Sequence, residues 1–467
     1  METVKINPGQ IVGAVKPMHA VNNGPVSGRK TQKRSNFETF KEARIPYSRN
    51  HDASFCPTYG GENIVDVHAV FKNFDADPYD PASYDFTLTD LFLENILAAG
   101  TKIYYRLGSK IEHCIKKYGT LVPKDFHKWA VICEHIIRHY NEGWADGFHW
   151  NIEYWEIWNE PNLDRDDAEN KRNWSGTAQQ FYELYDVASR HLKNCFPQLK
   201  IGGIGSALTG YTYEWLEKFF QYLTRTEEPA PMDFFAWHIY IVEPWQMVEH
   251  SENYRKLLDK YGYTQTESIL DEWNYVENWG DGFIDSIQAI IGVKGAAVTM
   301  ATMIAAQNST IDMLMYYDAR PGSTFNGMFD FYTLQKLPGY YPFYAFASLY
   351  DKKNQVAAES TDDQIYAMAA KDDNGDVSAI VCHYTNERNT APKQVKIECD
   401  FVTDKKVRYI LLDENHIFKE ITLEDNTVEL LPNSFLFITQ DDMDDFLARD
   451  GQQQSARVYE KNIYENI

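Results

Sequence analysis

The stretch YWEIWNEPN, residues 154–162, decides how this chain is interpreted. It begins with aromatic and β-branched residues, which favour a buried β-strand, and it continues into the polar pair Asn159-Glu160. The stretch SILDEWNY, residues 268–275, places a second carboxylic acid, Glu272, in a similar setting. Two carboxyl groups facing one pocket are the minimum for cutting a glycosidic bond, because one protonates the leaving oxygen while the other, ionised, attacks the anomeric carbon. The two stretches predict a glycosidase.

Eight short β-branched or aromatic stretches recur along the first three quarters of the chain. Stretches with helical periodicity separate them, which is typical of βα units and a parallel sheet. Eight such units close a (β/α)8 TIM barrel, an α/β fold. The predicted strands are IVGAV (11–15), RIPYSRNH (44–51), TKIYYRLG (101–108), YWEIWNE (154–160), KIGGIGSA (200–207), DFFAWHIY (233–240), SILDEWNY (268–275) and IDMLMYYDA (311–319).

Three of the intervening stretches have a clear helical pattern. In residues 125–140 the apolar side chains recur at i, i+3, i+4 and i+7, which predicts a helix with one face against a sheet. Residues 86–99 follow the same pattern, with Gly100 as the stop, and so do residues 178–192.

After about residue 350 the pattern changes to short strands bounded by turn residues, such as the hairpin signal Asp373-Asn374-Gly375. These strands predict a small antiparallel β-sandwich. We expect a catalytic barrel over residues 1–349, of which the first ten or so are compatible with joining the sandwich. The sandwich is expected over 350–440, and a polar tail over 441–467.

Composition excludes several classes of partner. The 467 residues include 45 Lys+Arg against 68 Asp+Glu, and this net charge of −23 repels nucleic acid and anionic membrane surfaces. The six cysteines have no zinc-type spacing.

Residues 1–20 lack a basic region followed by an apolar one, so we expect a cytoplasmic protein. The arrangement of a barrel followed by a sandwich is compatible with a homo-oligomer, and no metal or cofactor is expected.

The barrel prediction assigns roles to the two glutamates. Catalytic groups of TIM barrels lie at the C-terminal ends of strands, where Glu160 and Glu272 are both expected. Glu160 is predicted to be the general acid and base, and Glu272 the nucleophile. Asn159 can donate a hydrogen bond to a sugar 2-hydroxyl. A retaining double displacement predicts carboxyl groups about 5 to 5.5 Å apart, whereas 8 Å or more would indicate inversion.

These motifs resemble those of the retaining TIM-barrel glycosidases of clan A. WNEPN is similar to the acid/base motif of the clan and DEWN to its nucleophile motif. Within the clan the chain most resembles glycoside hydrolase family 39, which includes β-xylosidases and α-L-iduronidases. The features that carry the likeness are Arg49-Asn50-His51, KIGG (200–203), His238-Ile239-Tyr240 and the run at 325–346.

The resemblance implies that His51, His238 and Tyr240 line the −1 subsite, with Tyr240 bonding to the nucleophile. Asp52 is read equally as a sugar ligand or as a local cap, and Arg49 as a structural residue that bonds carboxylates below the substrate.

Two places depart from the family pattern. Asp271 stands where the family commonly has Thr, and the eighth strand, where a Trp is expected, contains Tyr316-Tyr317-Asp318. We include Tyr317 and Asp318 among the predicted substrate-binding residues. Arg320 suggests an acidic sugar, but a salt bridge to Asp318 is the simpler use for it.

Two further sets of side chains have a possible functional use. Trp174, Trp245 and Trp279 could stack on sugar faces or pack within their own loops. His135 and His139 have the i, i+4 spacing of metal ligands, yet a surface helix with no third ligand explains them better.

The sequence therefore predicts a retaining exo-glycosidase that acts on short oligosaccharides, with β-xylosidase-like activity. Two alternatives are an arabinosidase or galactosidase on the same scaffold, and a carbohydrate-binding protein without turnover. The presence of both glutamates argues against the second. The sugar, the linkage, the anomeric configuration, exo or endo action and the oligomeric state stay open.

Overall fold

A computed structural model of the protein describes residues 1–26, 35–52, 54–56, 60–401 and 405–451. The chain divides into two compact units: one comprises residues 16–287 and 305–326, and the other residues 1–15, 288–304 and 327–467. In the described ranges the strands are β1 (Glu2–Ala14), β2 (Ala20–Asn22), β3 (Tyr47–Arg49), β4 (Ser54–Cys56), β5 (Gly60–Asn63), β6 (Lys102–Leu107), β7 (Tyr154–Ile157), β8 (Lys200–Ser206), β9 (Phe234–Ile241), β10 (Glu267–Tyr275), β11 (Met313–Tyr316), β12 (Asn354–Ser360), β13 (Ile365–Lys371), β14 (Val377–His383), β15 (Lys393–Cys399), β16 (Arg408–Leu412), β17 (Lys419–Ile421), β18 (Thr427–Leu430) and β19 (Ser434–Thr439).

The α-helices of the described ranges follow the same chain order. They are α1 (Phe37–Glu42), α2 (Val67–Val70), α3 (Thr87–Ala98), α4 (Phe126–Glu142), α5 (Ala178–Cys195), α6 (Thr212–Leu223), α7 (Pro244–Lys260), α8 (Phe283–Ile290), α9 (Val293–Gln307) and α10 (Tyr341–Lys352).

Eight strands form a closed parallel barrel in the order β2-β3-β6-β7-β8-β9-β10-β11, with β11 pairing back to β2. Seven of them coincide with predicted strands, and the predicted TIM barrel is confirmed. Parallel strands need crossover connections, which the intervening helices supply.

The predicted first barrel strand is wrong. IVGAV (11–15) lies at the end of β1, which pairs with β12 and β15 in the other sheet. The strand that closes the barrel is Ala20–Asn22, whose three residues are all buried. Three residues are too few to show a period of two, so the longer β-branched run nearby was the stronger local signal.

The three predicted helices are present as α3, α4 and α5. Asp125 caps α4 by accepting a hydrogen bond from the Lys128 backbone N–H at 3.0 Å, and Gly143 ends it with φ 76°. Thr177 and Gln180 form a capping box at the start of α5. These caps explain where α4 begins and ends and where α5 begins.

The expectation that His135 and His139 lie on a surface helix is wrong, because both side chains are buried in α4. His135 Nδ1 lies 2.8 Å from the Val131 carbonyl oxygen. His139 Nε2 lies 3.1 Å from a carboxylate oxygen of Asp90, and its ring stacks on Phe86. The i, i+4 pair therefore takes part in packing and hydrogen bonding.

The barrel interior is filled below its C-terminal end. Large side chains near the strand starts form one buried cluster, to which Tyr47, Tyr104, Tyr154 and Phe234 belong. Tyr154 stacks on Tyr104 with ring centroids 5.6 Å apart. This packed floor closes the barrel below the carboxyl ends of the strands, which is where barrel enzymes carry their sites.

The predicted C-terminal β-domain is confirmed as a nine-stranded mixed sheet in the order β17-β16-β19-β14-β13-β12-β1-β15-β18. The β1–β15 pair is parallel, and the other pairs described in this sheet are antiparallel. Leu411 of β16 and Val428 of β18, near opposite ends of that order, share one core cluster with Val4 of β1. The sheet therefore curls around its own core, as a sandwich does.

The beginning of the predicted tail is packed. Met443 and Phe446 are buried, and the Tyr341 hydroxyl donates to Asp450. Residues 452–467 of that tail lie outside the described residues. Among the described helices, no single one combines the length and composition of a membrane-spanning helix, while α8 and α9 pass that test only as a pair bent by 78°.

Candidate active site

Glu160 is positioned by a tight turn directly after β7. Trp158 and Glu160 have positive φ angles of 74° and 49°, which are uncommon for residues other than glycine. The Glu160 backbone N–H donates to the carbonyl of Gly205 at 2.9 Å, which holds the turn against the end of β8. Its carboxyl group is thereby directed over the end of the barrel, with 14% of the side chain exposed.

Glu272 lies within β10 and is held by side chains from two other strands. Its Oε1 accepts a hydrogen bond from the Tyr240 hydroxyl at 2.8 Å, and its Oε2 accepts one from Arg49 Nη1 at 3.3 Å. Since Tyr240 comes from β9 and Arg49 from β3, neighbouring and distant strands together fix this carboxyl group. The bond that the resemblance implied between Tyr240 and Glu272 is present.

His238 lies between the two glutamates. Its Nδ1 is 2.8 Å from Glu160 Oε1 and 3.7 Å from Glu272 Oε2. One oxygen of Glu160 and one of Glu272 lie within 4.8 Å of each other. Two side chains that are far apart in sequence thus share one imidazole ring at the end of the barrel.

Arg49 joins the carboxylates from below and is completely buried. Its Nε lies 2.7 Å from Glu156 and 3.0 Å from Asp271, and its Nη2 donates to Asn159 Oδ1 at 2.6 Å. Asn159 is therefore oriented by its carbonyl oxygen, which leaves its amide nitrogen as the group that can donate to a substrate. The predicted structural use of Arg49 agrees with these contacts.

The remaining predicted side chains form a second group beside Glu272. His51 Nε2 lies 3.9 Å from Glu272 and 3.6 Å from Asp52. The Tyr317 hydroxyl donates to Asp52 Oδ2 at 2.7 Å, which joins the end of β11 to the end of β3. Asp318 accepts a hydrogen bond from the Arg320 backbone N–H at 2.6 Å and lies 3.4 Å from Arg320 Nη2. The carboxyl group of Asp318 therefore binds Arg320.

The electrostatics of the site favour shared protons. Burial raises the pKa of Glu272 to about 7, while His238, Arg49 and the Tyr240 hydroxyl favour its ionised form. Burial raises the pKa of Glu156 to about 8, and the nearby Asp271 charge adds to that rise. The carboxylates around His238 raise its pKa to about 10 despite burial. In contrast, burial and the nearby Arg49 hold the pKa of His51 well below its ordinary value.

Two overlapping sets of side chains in the site have the spacing of metal ligands: Glu156–His238–Asp271 and Glu160–His238–Glu272. Arg49 already places a guanidinium against Glu156, Asp271 and Glu272. A buried cation next to the same carboxylates is the arrangement of an ion-pair network rather than that of a metal centre.

The three tryptophans considered for sugar stacking differ in their surroundings. Trp174 is buried and packs edge-on against Trp158 with ring centroids 5.0 Å apart. Its ring is therefore used in packing within the protein. Trp279 is 62% exposed and its ring meets Tyr240 edge-on at 4.9 Å. Trp245 is similarly exposed.

Two polar residues of the site were not predicted from the sequence. Asn173 donates from Nδ2 to Glu160 Oε2 at 2.8 Å, from an irregular loop 13 residues further along. Glu156 alternates with apolar residues in β7 and points into the barrel, where it bonds to Arg49. Period-two alternation could have identified Glu156 as an inward-facing charge, whereas only the loop conformation places Asn173.

Comparison with known proteins agrees with this arrangement. The model of glycosyl hydrolases family 39 matches residues 60–416. A β-xylosidase from Geobacillus stearothermophilus is 23% identical over 224 residues, which are 46% of this chain and 41% of that enzyme, so the match spans less than half of the curated relative.

Solved structures show the same fold. A glucosidase from Croceicoccus marinus has a TM-score of 0.74 at 21% identity, covering 95% of this chain and 100% of that one. A GH39 β-xylosidase from Caulobacter crescentus has a TM-score of 0.62 at 16% identity, covering 93% and 99%. Because the family model spans well over half of the chain, this protein belongs to glycosyl hydrolases family 39.

Proposed function

We propose that this protein is a retaining exo-glycosidase that releases xylose from short β-xylosides by double displacement. The observation that supports retention is the distance between Glu160 and Glu272, whose nearest oxygens lie within 4.8 Å. Retaining enzymes hold their carboxyl groups about 5 to 5.5 Å apart, and inverting enzymes leave room for a water molecule. The β-xylosidase named among the relatives supports the choice of sugar.

In this proposal Glu272 attacks the anomeric carbon while Glu160 passes a proton to the leaving oxygen. Tyr240 and Arg49 orient the Glu272 oxygens through their hydrogen bonds. Water activated by Glu160 then cleaves the glycosyl ester, which returns the proton to Glu160.

The substrate-binding roles follow from the same geometry. Asn159 is the donor for the sugar 2-hydroxyl, since its carbonyl oxygen is bound to Arg49. His51 and Asp52 border the sugar beside Glu272, and Tyr317 orients Asp52. Asp318 supports this wall through Arg320, whose Nη1 donates to the Asp52 carbonyl.

The first test is hydrolysis of nitrophenyl glycosides by the wild type and by Glu272→Gln. The panel contains β-xyloside, β-glucoside, β-galactoside, α-L-arabinosides and α-L-iduronide. We expect fastest release from the β-xyloside, and a loss of about 10³-fold or more in kcat for Glu272→Gln. A sugar other than xylose would contradict the specificity, and an unchanged rate in the variant would contradict the nucleophile assignment.

The stereochemistry has its own measurement. Proton NMR during the first minutes of hydrolysis shows which anomer is formed before mutarotation. Retention predicts that the β-xyloside yields β-xylose first. Initial α-xylose would overturn the double displacement.

A further inference from the structure

Below the two glutamates lies a second layer of ionisable groups that bond cleavage does not use directly. It consists of Arg49, Glu156 and Asp271, all of which are completely buried. His238 connects this layer to the catalytic one, because Nδ1 faces Glu160 and Nε2 lies 3.4 Å from Asp271 Oδ1.

The charges in this layer do not balance if both carboxyls are ionised. Glu156 and Asp271 approach the same guanidinium nitrogen, at 2.7 and 3.0 Å, in a place without exposure to solvent. Two buried carboxylates against one arginine favour a shared proton. Glu156 holds it more readily, since burial and the Asp271 charge raise the pKa of Glu156, whereas Arg49 and His238 lower the pKa of Asp271 against the effect of burial.

We propose that Asp271 is a positioning residue for the acid/base: its buried negative charge keeps His238 as an imidazolium that donates from Nδ1 to Glu160, while Glu156 is the neutral member of the pair. The inference rests on the proposed role of Glu160. The contacts of Asp271 with Arg49 and His238 are charge contacts rather than linear hydrogen bonds.

An imidazolium beside Glu160 has a direct consequence for bond cleavage. When Glu160 passes its proton to the glycosidic oxygen, it becomes a carboxylate, and a cation 2.8 Å away stabilises that product. His238 keeps its own proton throughout. A neutral imidazole would favour the protonated acid instead and slow its proton donation.

All charged groups that face His238 enter this balance. The carboxyl groups that favour the imidazolium are Glu272, Asp271 and Glu160, while Glu156 lies close to it as a neutral group. The cation that opposes it is Arg49, and His51 nearby is neutral. Without the Asp271 charge Glu156 becomes ionised, and its charge is then balanced by Arg49 through two contacts of 2.7 and 3.1 Å. His238 then has no net counter-charge below it.

The direct test is NMR of histidine-labelled protein, with the His238 signals identified by their loss in His238→Gln. Wild type should show an imidazolium at pH 7.5, and Asp271→Asn should show neutral imidazole at that pH. Glu156→Gln is the matched control, because it is an equally buried amide replacement beside the same arginine and copies the neutral carboxyl. It should leave His238 protonated.

Three results would overturn the proposal: a neutral His238 in the wild type at pH 7.5, an unchanged titration in Asp271→Asn, or a loss of the imidazolium in Glu156→Gln. The first needs neither Asp271→Asn nor Glu156→Gln but only the assignment variant His238→Gln, so the test survives if either of those two variants does not fold. None of these spectra requires turnover, and failure here is therefore distinct from failure of the proposed activity.

The pH dependence of kcat/KM separates this role from a simple local charge. If Asp271 acts through His238, Asp271→Asn moves both limbs of the profile to higher pH by about one unit, because the carboxylates lose a neighbouring cation. If Asp271 acted only by its own negative charge, both limbs would move to lower pH. Asp271→Thr should behave like Asp271→Asn.

Discussion

At the scale of single residues, each oxygen of Glu160 has its own partner. Oε1 faces His238 Nδ1 and Oε2 accepts from Asn173, each at 2.8 Å. A general acid has to present its proton along one direction, and two fixed partners restrict the rotation of the carboxyl group. If Glu160 is the acid/base as proposed, Asn173 positions it as much as His238 does, although no motif contains Asn173.

Asn173→Ala should lower kcat/KM by about 10-fold, which corresponds to one hydrogen bond to a charged group. The loss should be larger for alkyl glycosides than for nitrophenyl glycosides, because a poor leaving group depends more on proton donation. Steady-state rates on both substrates measure this. Asn170→Ala is the control, since Asn170 lies in the same loop and donates to the His113 carbonyl. Equal losses on both substrates would contradict a role in positioning the acid.

At the scale of the elements, β8 contributes space rather than a functional side chain. Gly205 has φ 56°, and a Cβ there would lie 2.8 Å from Glu156 Oε1 and 3.0 Å from His238 Nε2. A side chain at this position would push apart the groups that connect the two layers of the site. The glycine-rich stretch KIGGIGSA is thus explained by close approach of backbone and buried charges.

Gly205→Ala should cost about 1 to 3 kcal/mol of unfolding free energy and reduce activity, because strain and collision act together. Gly210→Ala, in the loop that follows β8, is the matched control, since a Cβ there meets nothing within 4 Å. We expect its effect to stay within about 0.5 kcal/mol. Denaturant unfolding compares the two, and equal stabilities would show that β8 can relax around the added methyl group.

At the scale of the whole molecule, the buried site has a cost in stability that depends on pH. The folded-state pKa values of Glu156, Glu272 and His238 are about 8, 7 and 10, all raised above their ordinary values. A group with a raised pKa contributes stability that is complete below its unfolded pKa and is lost as pH rises through its folded pKa. Between pH 7 and 8.5 all three effects act in the same direction.

We therefore expect Tm to fall by about 2 °C or more between pH 7 and 8.5. All 11 tryptophans lie between residues 129 and 279, within the barrel unit, so tryptophan fluorescence reports the unfolding of that unit. Glu272→Gln should make this dependence shallower, because it removes one of the titrating groups. A Tm that is constant or rises over this range would show that the pKa values of these three groups are not raised in the folded protein.

The sequence by itself determined the alternation of strands and helices, the barrel, the following β-domain and the two glutamates. These follow from local signals: a period of two or 3.6, capping residues, and a carboxylic acid at the end of an apolar run. Seven barrel strands and three helices were predicted for this reason, and the motifs around Glu160 and Glu272 were sufficient to indicate a glycosidase family.

Only the tertiary structure decided the rest, because it depends on which distant residues meet. The stretch IVGAV belongs to the other sheet and not to the barrel, because the hydrogen-bonding partners of a short strand, and not its composition, determine which sheet it joins. The tertiary structure placed Asn173 against Glu160 through an irregular loop, and it brought Asp271 and Glu156 to the same face of Arg49. Electrostatic effects in a protein interior depend on distances of a few ångströms between such residues, and a linear sequence contains no information of that kind in its local patterns.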